Sequence, residues 1–191
     1  MFTRPPALGD VRPTLRLLWG ISLCPTDVGF GFFGGRWPHG PLHPPVAPRV
    51  ARVGRELPWP PNRILMDFPA WVLEPVDKIP KALVEGIGMT PMEVFITSSK
   101  DNLFAILRDE AQVRSVQPRL ECLETLHPAG VVVTAQGENS DCTSRYFAPS
   151  YGIPEDPGTG SIHCGLVPFW GERLRKKEIY AYQMSSRGAE L

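Results

Sequence analysis

Between residues 62 and 191, apolar residues recur in short runs whose spacing alternates between strand and helix periods. The runs that predict strands are rich in β-branched and aromatic residues and are bounded by turn residues. They cover residues 63–68, 93–97, 102–107, 130–135, 142–148 and 178–184. Apolar spacing and terminal signals predict helices over residues 76–84 and 118–126, and from Ser161 to about Arg173. Six strands and three helices in mixed order indicate an α+β domain.

Three local patterns add detail to this scheme. The strands predicted over residues 93–97 and 102–107 flank the polar turn 98–101, which predicts a β-hairpin. Residues 109–116 are predicted to be a connector. Pro168 lies inside the last predicted helix and has no backbone N–H, so a kink is expected there.

Residues 1–61 show neither the helix nor the strand period. They contain twelve of the 22 prolines and eight of the 18 glycines. Prolines at this density interrupt any long element. We therefore predict an irregular, disordered leader over residues 1–61, with one short helix around Pro13–Gly20, followed by a folded domain over residues 62–191.

The net charge is zero, but it is unevenly distributed along the chain. Residues 1–61 hold seven arginines, no lysine and three acids, whereas residues 62–191 hold 13 basic and 17 acidic residues. A domain without a basic excess argues against nucleic acid as the main partner. No apolar run reaches the roughly 18 residues that a membrane span needs, so no membrane partner is expected.

The four cysteines, Cys24, Cys122, Cys142 and Cys164, include no CxxC pair and no metal-ligand spacing. Reduced thiols in a cytoplasmic protein are favoured over a disulfide framework or a zinc site. We therefore predict that the protein holds no metal and is cytoplasmic.

Two neighbouring acids, Glu155 and Asp156, lie between Pro154 and Pro157. The prolines fix backbone torsions and disfavour helix before them, so the acids are predicted to lie on a stiff loop. A carboxylate held in this way is suited to act as a general acid or base.

A Gly-Thr-Gly-Ser segment, residues 158–161, follows the acids and precedes the last predicted helix. Its glycines permit positive φ and close approach of a ligand, and Ser161 is predicted to be the helix N-cap. The unpaired N–H groups of a helix start bind carboxylates and phosphates. An acid beside them fits proton transfer on a substrate that carries a carboxylate. The same residues also fit a Gly/Pro-rich turn that caps a helix, and by themselves they leave both interpretations open.

Several motifs together resemble the PhzF-like family of phenazine biosynthesis-like proteins. They are Ser-Arg-Tyr-Phe-Ala-Pro at 144–149, the segment 152–163, Pro-Phe-Trp at 168–170 and Gln-Met-Ser-Ser-Arg-Gly at 183–188. The strand Leu-Met-Asp-Phe-Pro-Ala at 65–70 is similar to the start of the second half of that family. The motifs occur in the family's order, and the resemblance covers about residues 63–191.

The resemblance implies a diaminopimelate-epimerase-like fold, in which a curved mixed sheet wraps around a central helix. It implies a cofactor-independent isomerase that moves a proton at carbon in a small molecule with a carboxylate, and it suggests a homodimer. Asp156 matches the family's proton-shuttling acid, and Thr159, Gly160, Ser161 and His163 match positions at the substrate. His163 fits a packed helical histidine equally well.

The resemblance also shows departures from the family pattern. The family's first domain carries a Gly-Asn-Pro stretch, a glutamate base in an Asn-x-Ser-Glu context and a Cys-Gly-His-Ala-Thr helix start. None of these occurs in residues 1–61, and the family has further strands after the turn at 187–189. Residues 62–191 are thus predicted to be the second domain without its last strands. We expect isomerase activity to be impaired or absent in this chain, and the alternative is a non-catalytic binding or interaction fragment.

Overall fold

The computed structural model describes the backbone of residues 14–20, 50–53 and 63–191, and the side chains of residues 68–191. Its strands are β1 Thr14–Gly20, β2 Val50–Val53, β3 Arg63–Pro69, β4 Leu73–Pro75, β5 Glu93–Thr97, β6 Asn102–Ile106, β7 Gly130–Gln136, β8 Cys142–Phe147, β9 Ala181–Gln183 and β10 Ala189–Glu190. Its helices are α1 Lys81–Ile87, α2 Glu110–Ser115, α3 Leu120–Glu124 and α4 His163–Leu174, with a 3₁₀ turn at Pro149–Tyr151.

The described strands form two sheets. The smaller is antiparallel, with β3 between β1 and β2. The larger has seven strands in the order β10-β9-β8-β7-β6-β5-β4, in which the β6–β7 and β8–β9 pairs are parallel and the others antiparallel. A mixed sheet of seven strands with a few helices confirms the predicted α+β class.

The predicted strands all occur, although the last shrinks to Ala181–Gln183, and β5 and β6 form the predicted hairpin. The connector predicted over residues 109–116 is wrong, because α2 forms there. Asp109 accepts a hydrogen bond from the backbone N–H of Gln112 at 2.8 Å and so caps this helix. The short edge strands β4 and β10 were not predicted.

The helix predicted around Pro13–Gly20 is also wrong, because Thr14–Gly20 is strand β1. It pairs with β3 over seven residues, from Thr14 opposite Pro69 to Gly20 opposite Arg63. A helix of this length is marginal alone, whereas sheet pairing satisfies the same backbone groups. Val50–Val53 is likewise a strand within the segment predicted to be irregular. The rest of the predicted leader lies outside the described residues, and the division at residue 62 stays a prediction.

The larger sheet has helices on both faces. Successive side chains of β7 point to opposite faces. Val131 and Val133 pack in a cluster with residues of α1, α2 and α3, whereas Val132 packs in a second cluster with Leu166 and Trp170 of α4. The β-branched run is therefore buried on both sides, as its composition predicts. The indole N–H of Trp170 donates to the hydroxyl of Thr134 at 3.1 Å and ties α4 to β7.

Pro168 creates a gap in the hydrogen bonding of α4 that another segment fills. Because Pro168 has no N–H, the carbonyl of Cys164 has no helical donor. The backbone N–H of Trp71 donates to that carbonyl at 2.8 Å. The buried side chains of Phe68 and Cys164 pack together beside this link. The proline thus provides an attachment point for the chain between β3 and β4, while the kink itself stays a prediction.

Gly86 of α1 packs against Leu123 of α3, and this contact gives a stability prediction. A Cβ at Gly86 would lie 2.2 Å from Cδ2 of Leu123, which is itself buried. We expect Gly86→Ala to lower the free energy of unfolding in urea by about 1–2 kcal/mol, because overpacking outweighs the better helix propensity of alanine. Glu85→Ala adds alanine at the exposed neighbouring position and should change it by less than about 0.5 kcal/mol. Equal effects of the two variants would contradict this packing.

Candidate active site

The candidate site is built on the loop between β8 and α4, residues 152–162, which we call the acid loop. Gly152 begins it with φ of 75°, a conformation that glycine adopts without strain. Backbone bonds then hold the loop to β8: the N–H of Asp156 donates to the carbonyl of Tyr146 at 3.0 Å. Gly158 and Gly160 permit positive φ, but neither is among the positive-φ residues of the described chain.

The two neighbouring acids of the loop have different environments. Glu155 forms a two-point ion pair with Arg145, at 2.8 Å to Nε and 3.0 Å to Nη2. The same guanidinium donates to the carbonyl of Val116 at 2.7 Å, just beyond α2. Both charged side chains are largely buried, with 13% of Arg145 and 27% of Glu155 exposed. Glu155 therefore anchors the loop to α2, which leaves Asp156 as the acid available for chemistry.

This anchor gives a second stability prediction. Arg145→Leu leaves a largely buried carboxylate and a backbone carbonyl without their donor, so we expect a loss of about 1–3 kcal/mol in the free energy of unfolding. The control is Arg108→Leu, which removes a more exposed ion pair with Asp109 and should cost less than about 1 kcal/mol. Urea unfolding of both variants measures the difference, and equal costs would argue against an anchoring role for Arg145.

Only one of the two carboxylate oxygens of Asp156 accepts a hydrogen bond from the described residues. The hydroxyl of Thr159 donates to its Oδ2. Among residues 68–191, no donor is bonded to the other carboxylate oxygen, Oδ1. Asp156 is partly exposed, whereas Thr159 is 8% exposed. The carboxyl group is thus fixed in orientation while one of its oxygens can meet a ligand.

The start of α4 lies directly after these residues, but its geometry differs from the prediction. Ser161 is not the N-cap: the capping position is Ile162, and no side chain caps the helix. Residues 160–162 form a tighter turn, in which the N–H of His163 donates to the carbonyl of Gly160 at 3.1 Å. The exposed hydroxyl of Ser161 is therefore not used in capping and faces no competing partner within the described residues.

The turn leaves three consecutive backbone donors unpaired. Among the described residues, no acceptor is bonded to the N–H of Gly160, Ser161 or Ile162. Unpaired N–H groups at the start of a helix carry partial positive charge and attract anions. Asp156, Thr159, Gly160 and Ser161 thus lie together on one short loop that combines an acid with a turn of unpaired N–H groups.

His163 lies beneath this turn rather than on its surface. Its side chain is fully buried, and its Nδ1 lies 2.8 Å from the carbonyl oxygen of Thr159. Nδ1 therefore carries the proton and donates, while Nε2 has no partner among the described residues. Burial lowers the pKa of His163 to about 4. The structure thus places it as a packed helical histidine, and contact with substrate stays a prediction.

Two residues that contact the loop were missed by the sequence analysis. Gln183 of β9 is fully buried and bonds to Asp156 and Thr159, and the hydroxyl of Ser185 donates to the carbonyl of Pro157 at 2.7 Å. Both belong to the motif at 183–188 that carried part of the resemblance. The signal that could have identified Gln183 was its polar amide side chain within a strand that otherwise packs into the core.

The described residues give little support to cysteine chemistry, metal binding or a membrane span. The described cysteines, Cys122, Cys142 and Cys164, are unpaired, and burial raises the pKa of Cys142 and of Cys164 to about 12. In the described part of the chain, no three His, Cys, Asp or Glu side chains are grouped as metal ligands would be. None of the described helices has the length and apolarity that crossing a membrane requires.

Comparison with known proteins identifies relatives of this chain. An uncharacterized isomerase of Pseudomonas aeruginosa is 41% identical over 140 residues, which cover 73% of this chain and 51% of that protein. The phenazine biosynthesis-like domain-containing protein of Rattus norvegicus is 34% identical over 145 residues, covering 67% and 50%. The chain therefore spans about half the length of the curated relatives it matches.

Solved structures and a family model agree with these relatives. A phenazine biosynthesis PhzC/PhzF protein from Clostridium difficile superposes with a TM-score of 0.60 at 36% identity, covering 66% of this chain and 48% of that one. A PhzF-family protein from Enterococcus faecalis gives 0.58 at 36% identity, covering 63% and 45%. The model of the family PhzC-PhzF, phenazine biosynthesis-like protein, matches residues 61–191. The chain belongs to this PhzF-like family, as its motifs predicted.

Proposed function

We propose that the acid loop is half of the active site of an isomerase that moves a proton at carbon in a small molecule bearing a carboxylate. Relatives in Pseudomonas aeruginosa and Halalkalibacterium halodurans are named isomerases. The observation that carries the proposal is the pairing of two features on one loop. Asp156 has one oxygen held and one unpaired, and the N–H groups of residues 160–162 lack partners among the described residues.

The two features have complementary roles in such a reaction. The N–H groups of Gly160 and Ser161 bind the substrate carboxylate and stabilise the negative charge that develops when the adjacent carbon loses its proton. Oδ1 of Asp156 takes that proton or returns it, while Thr159 keeps the carboxyl group in place. The exposed Ser161 hydroxyl adds a hydrogen bond to the bound carboxylate. Proton transfer of this kind uses neither a metal nor a cofactor.

A complete isomerisation needs proton transfer at two places on the substrate, and the acid loop supplies one acid. We propose that the second group is contributed by a further domain or by a second copy in a homodimer. The chain alone then exchanges a carbon-bound hydrogen with solvent but completes the isomerisation slowly. We also propose that the seven-stranded sheet curves around α4 as in diaminopimelate-epimerase-like domains, and that the protein acts in the cytoplasm.

Binding and exchange can be tested separately on the full chain. In a titration with anthranilate followed by ¹⁵N NMR, we expect the amide signals of Gly160 and Ser161 to shift, and aniline, which lacks the carboxylate, to leave them unchanged. Incubation with 2,3-dihydro-hydroxyanthranilate in D₂O should then replace a carbon-bound hydrogen by deuterium. Shifts without exchange would replace the isomerase proposal by a non-catalytic binding fragment. Absence of the shifts would overturn the proposed anion site.

A further inference from the structure

The side-chain amide of Gln183 joins both ends of the segment from Asp156 to Thr159. Its Oε1 accepts from the backbone N–H of Thr159 at 2.7 Å, and its Nε2 donates to the carbonyl of Asp156 at 2.7 Å. The orientation of the amide follows from its partners, because an N–H needs an acceptor and a carbonyl needs a donor. Gln183 is 0% exposed, so water does not compete for these bonds.

The second N–H of the Gln183 amide points to the hydroxyl of Thr159, which is hydrogen-bonded to the carboxylate of Asp156. Nε2 lies 3.3 Å from Oγ1 of Thr159 and donates to it. A threonine hydroxyl has one proton, so an Oγ1 that accepts from Gln183 keeps its own proton for Oδ2 of Asp156. The chain of donors thus runs from Gln183 through Thr159 to the carboxylate. It fixes which carboxylate oxygen is held and which is left for the substrate.

Ser185 holds the middle of the same segment. Its hydroxyl donates to the carbonyl of Pro157 at 2.7 Å and accepts from the N–H of Gly188 at 3.1 Å. Gly188 has φ of 73°, and a Cβ there would lie 2.5 Å from the hydroxyl of Tyr182, so this turn favours glycine. Residues after β9 therefore contact the segment 156–159 at Pro157, while Gln183 contacts its two ends.

We propose that Gln183 and Ser185 are positioning residues that aim the unpaired oxygen of Asp156 at the substrate. This inference rests on the proposed function of the acid loop. Neither residue needs to touch the substrate, because they act through Thr159 and through the backbone of residues 156–157. Displacement of a reacting group by about 1 Å can cost on the order of 100-fold in rate. Substitution of Gln183 or Ser185 should therefore lower kcat more than it raises KM.

Substitutions at Gln183 separate its donor role from its acceptor role. Gln183→Leu removes both, whereas Gln183→Glu keeps the acceptor for Thr159 and loses the donors when its carboxyl group is ionised; burial raises the pKa of that group. For deuterium exchange into 2,3-dihydro-hydroxyanthranilate, we expect Gln183→Leu, and Gln183→Glu at a pH where its carboxyl group is ionised, to lower kcat by about 10- to 100-fold with KM within about threefold. Because a protonated carboxyl group supplies one O–H donor, Gln183→Glu should regain activity relative to wild type as the pH falls. Gln136→Glu, on the exposed end of β7, is the matched control and should behave as wild type.

A readout that needs no turnover keeps this inference distinct from the proposed function. In amide hydrogen exchange, the Thr159 N–H should lose its protection in Gln183→Leu and keep it in Gln183→Glu. Ser185→Ala, at a half-buried position, should keep the fold and lower kcat about 3- to 10-fold. Unchanged Thr159 protection in Gln183→Leu, or kcat equal to wild type in both Gln183 variants, would overturn the positioning role. Failure of wild type to bind anthranilate would instead overturn the proposed function and leave the Thr159 result standing.

Discussion

Asp156→Asn is expected to slow deuterium exchange into 2,3-dihydro-hydroxyanthranilate by about 10²- to 10⁴-fold, the usual contribution of a general acid or base. Asparagine has the same shape, and its carbonyl oxygen can still accept from the hydroxyl of Thr159. It cannot take up a proton from carbon. The change therefore removes the chemistry and retains the loop, and ¹H NMR in D₂O measures the rate directly.

The controls for Asp156→Asn address binding and charge. Because the backbone N–H groups of Gly160 and Ser161 are untouched, anthranilate should shift their amide signals in Asp156→Asn as in wild type. Asp77→Asn removes an acid of the same type from an exposed position before α1 and should leave the exchange rate unchanged. An Asp156→Asn protein that exchanges deuterium at the wild-type rate would exclude Asp156 as the proton-transfer group.

Much of the domain was predictable because local pattern and tertiary packing agree there. The β-branched run of β7 is buried on both faces, and the apolar face of α4 covers the side of the sheet where Val132 lies. By contrast, the strand β1 owes its existence to pairing with β3, a partner about 50 residues away. Local propensity carries no information about such a partner, so the segment was predicted to be a helix.

The candidate site shows the same division between local and distant information. The position of the acid loop and the start of a helix just after it follow from prolines, glycines and the apolar run beyond. The different environments of Glu155 and Asp156 do not, because they depend on Arg145 of β8 and Gln183 of β9. Gln183 reaches the loop through the pairing of β8 and β9, whereas Arg145 lies on the strand that leads into the loop, opposite Val133 of β7. Sequence patterns thus located the acids, while the sheet topology decides which acid is anchored and which is available.

His163 is expected to make the protein less stable as the pH falls from about 6.5 to about 4. Its ordinary pKa is 6.5, and burial lowers the pKa in the folded protein to about 4. Over that interval the unfolded chain binds a proton that the folded protein does not, so protonation favours unfolding. The loss begins near pH 6.5 and is complete below about pH 4. This difference between the pKa values of the unfolded and folded states corresponds to about 3 kcal/mol in the free energy of unfolding.

His163→Asn tests this assignment, because asparagine does not titrate and its Nδ2 can donate to the carbonyl of Thr159 in place of Nδ1. Urea unfolding from pH 7 to pH 4 should show that the variant loses about 3 kcal/mol less stability than wild type. His127→Asn removes an exposed histidine and should retain the wild-type loss. Parallel pH profiles for His163→Asn and wild type would mean that the buried imidazole does not govern acid stability. If only His163→Asn loses less stability between pH 7 and pH 4, the acid sensitivity lies at His163, directly beneath the acid loop. Unfolding in acid then also breaks the hydrogen bond between His163 and the carbonyl of Thr159.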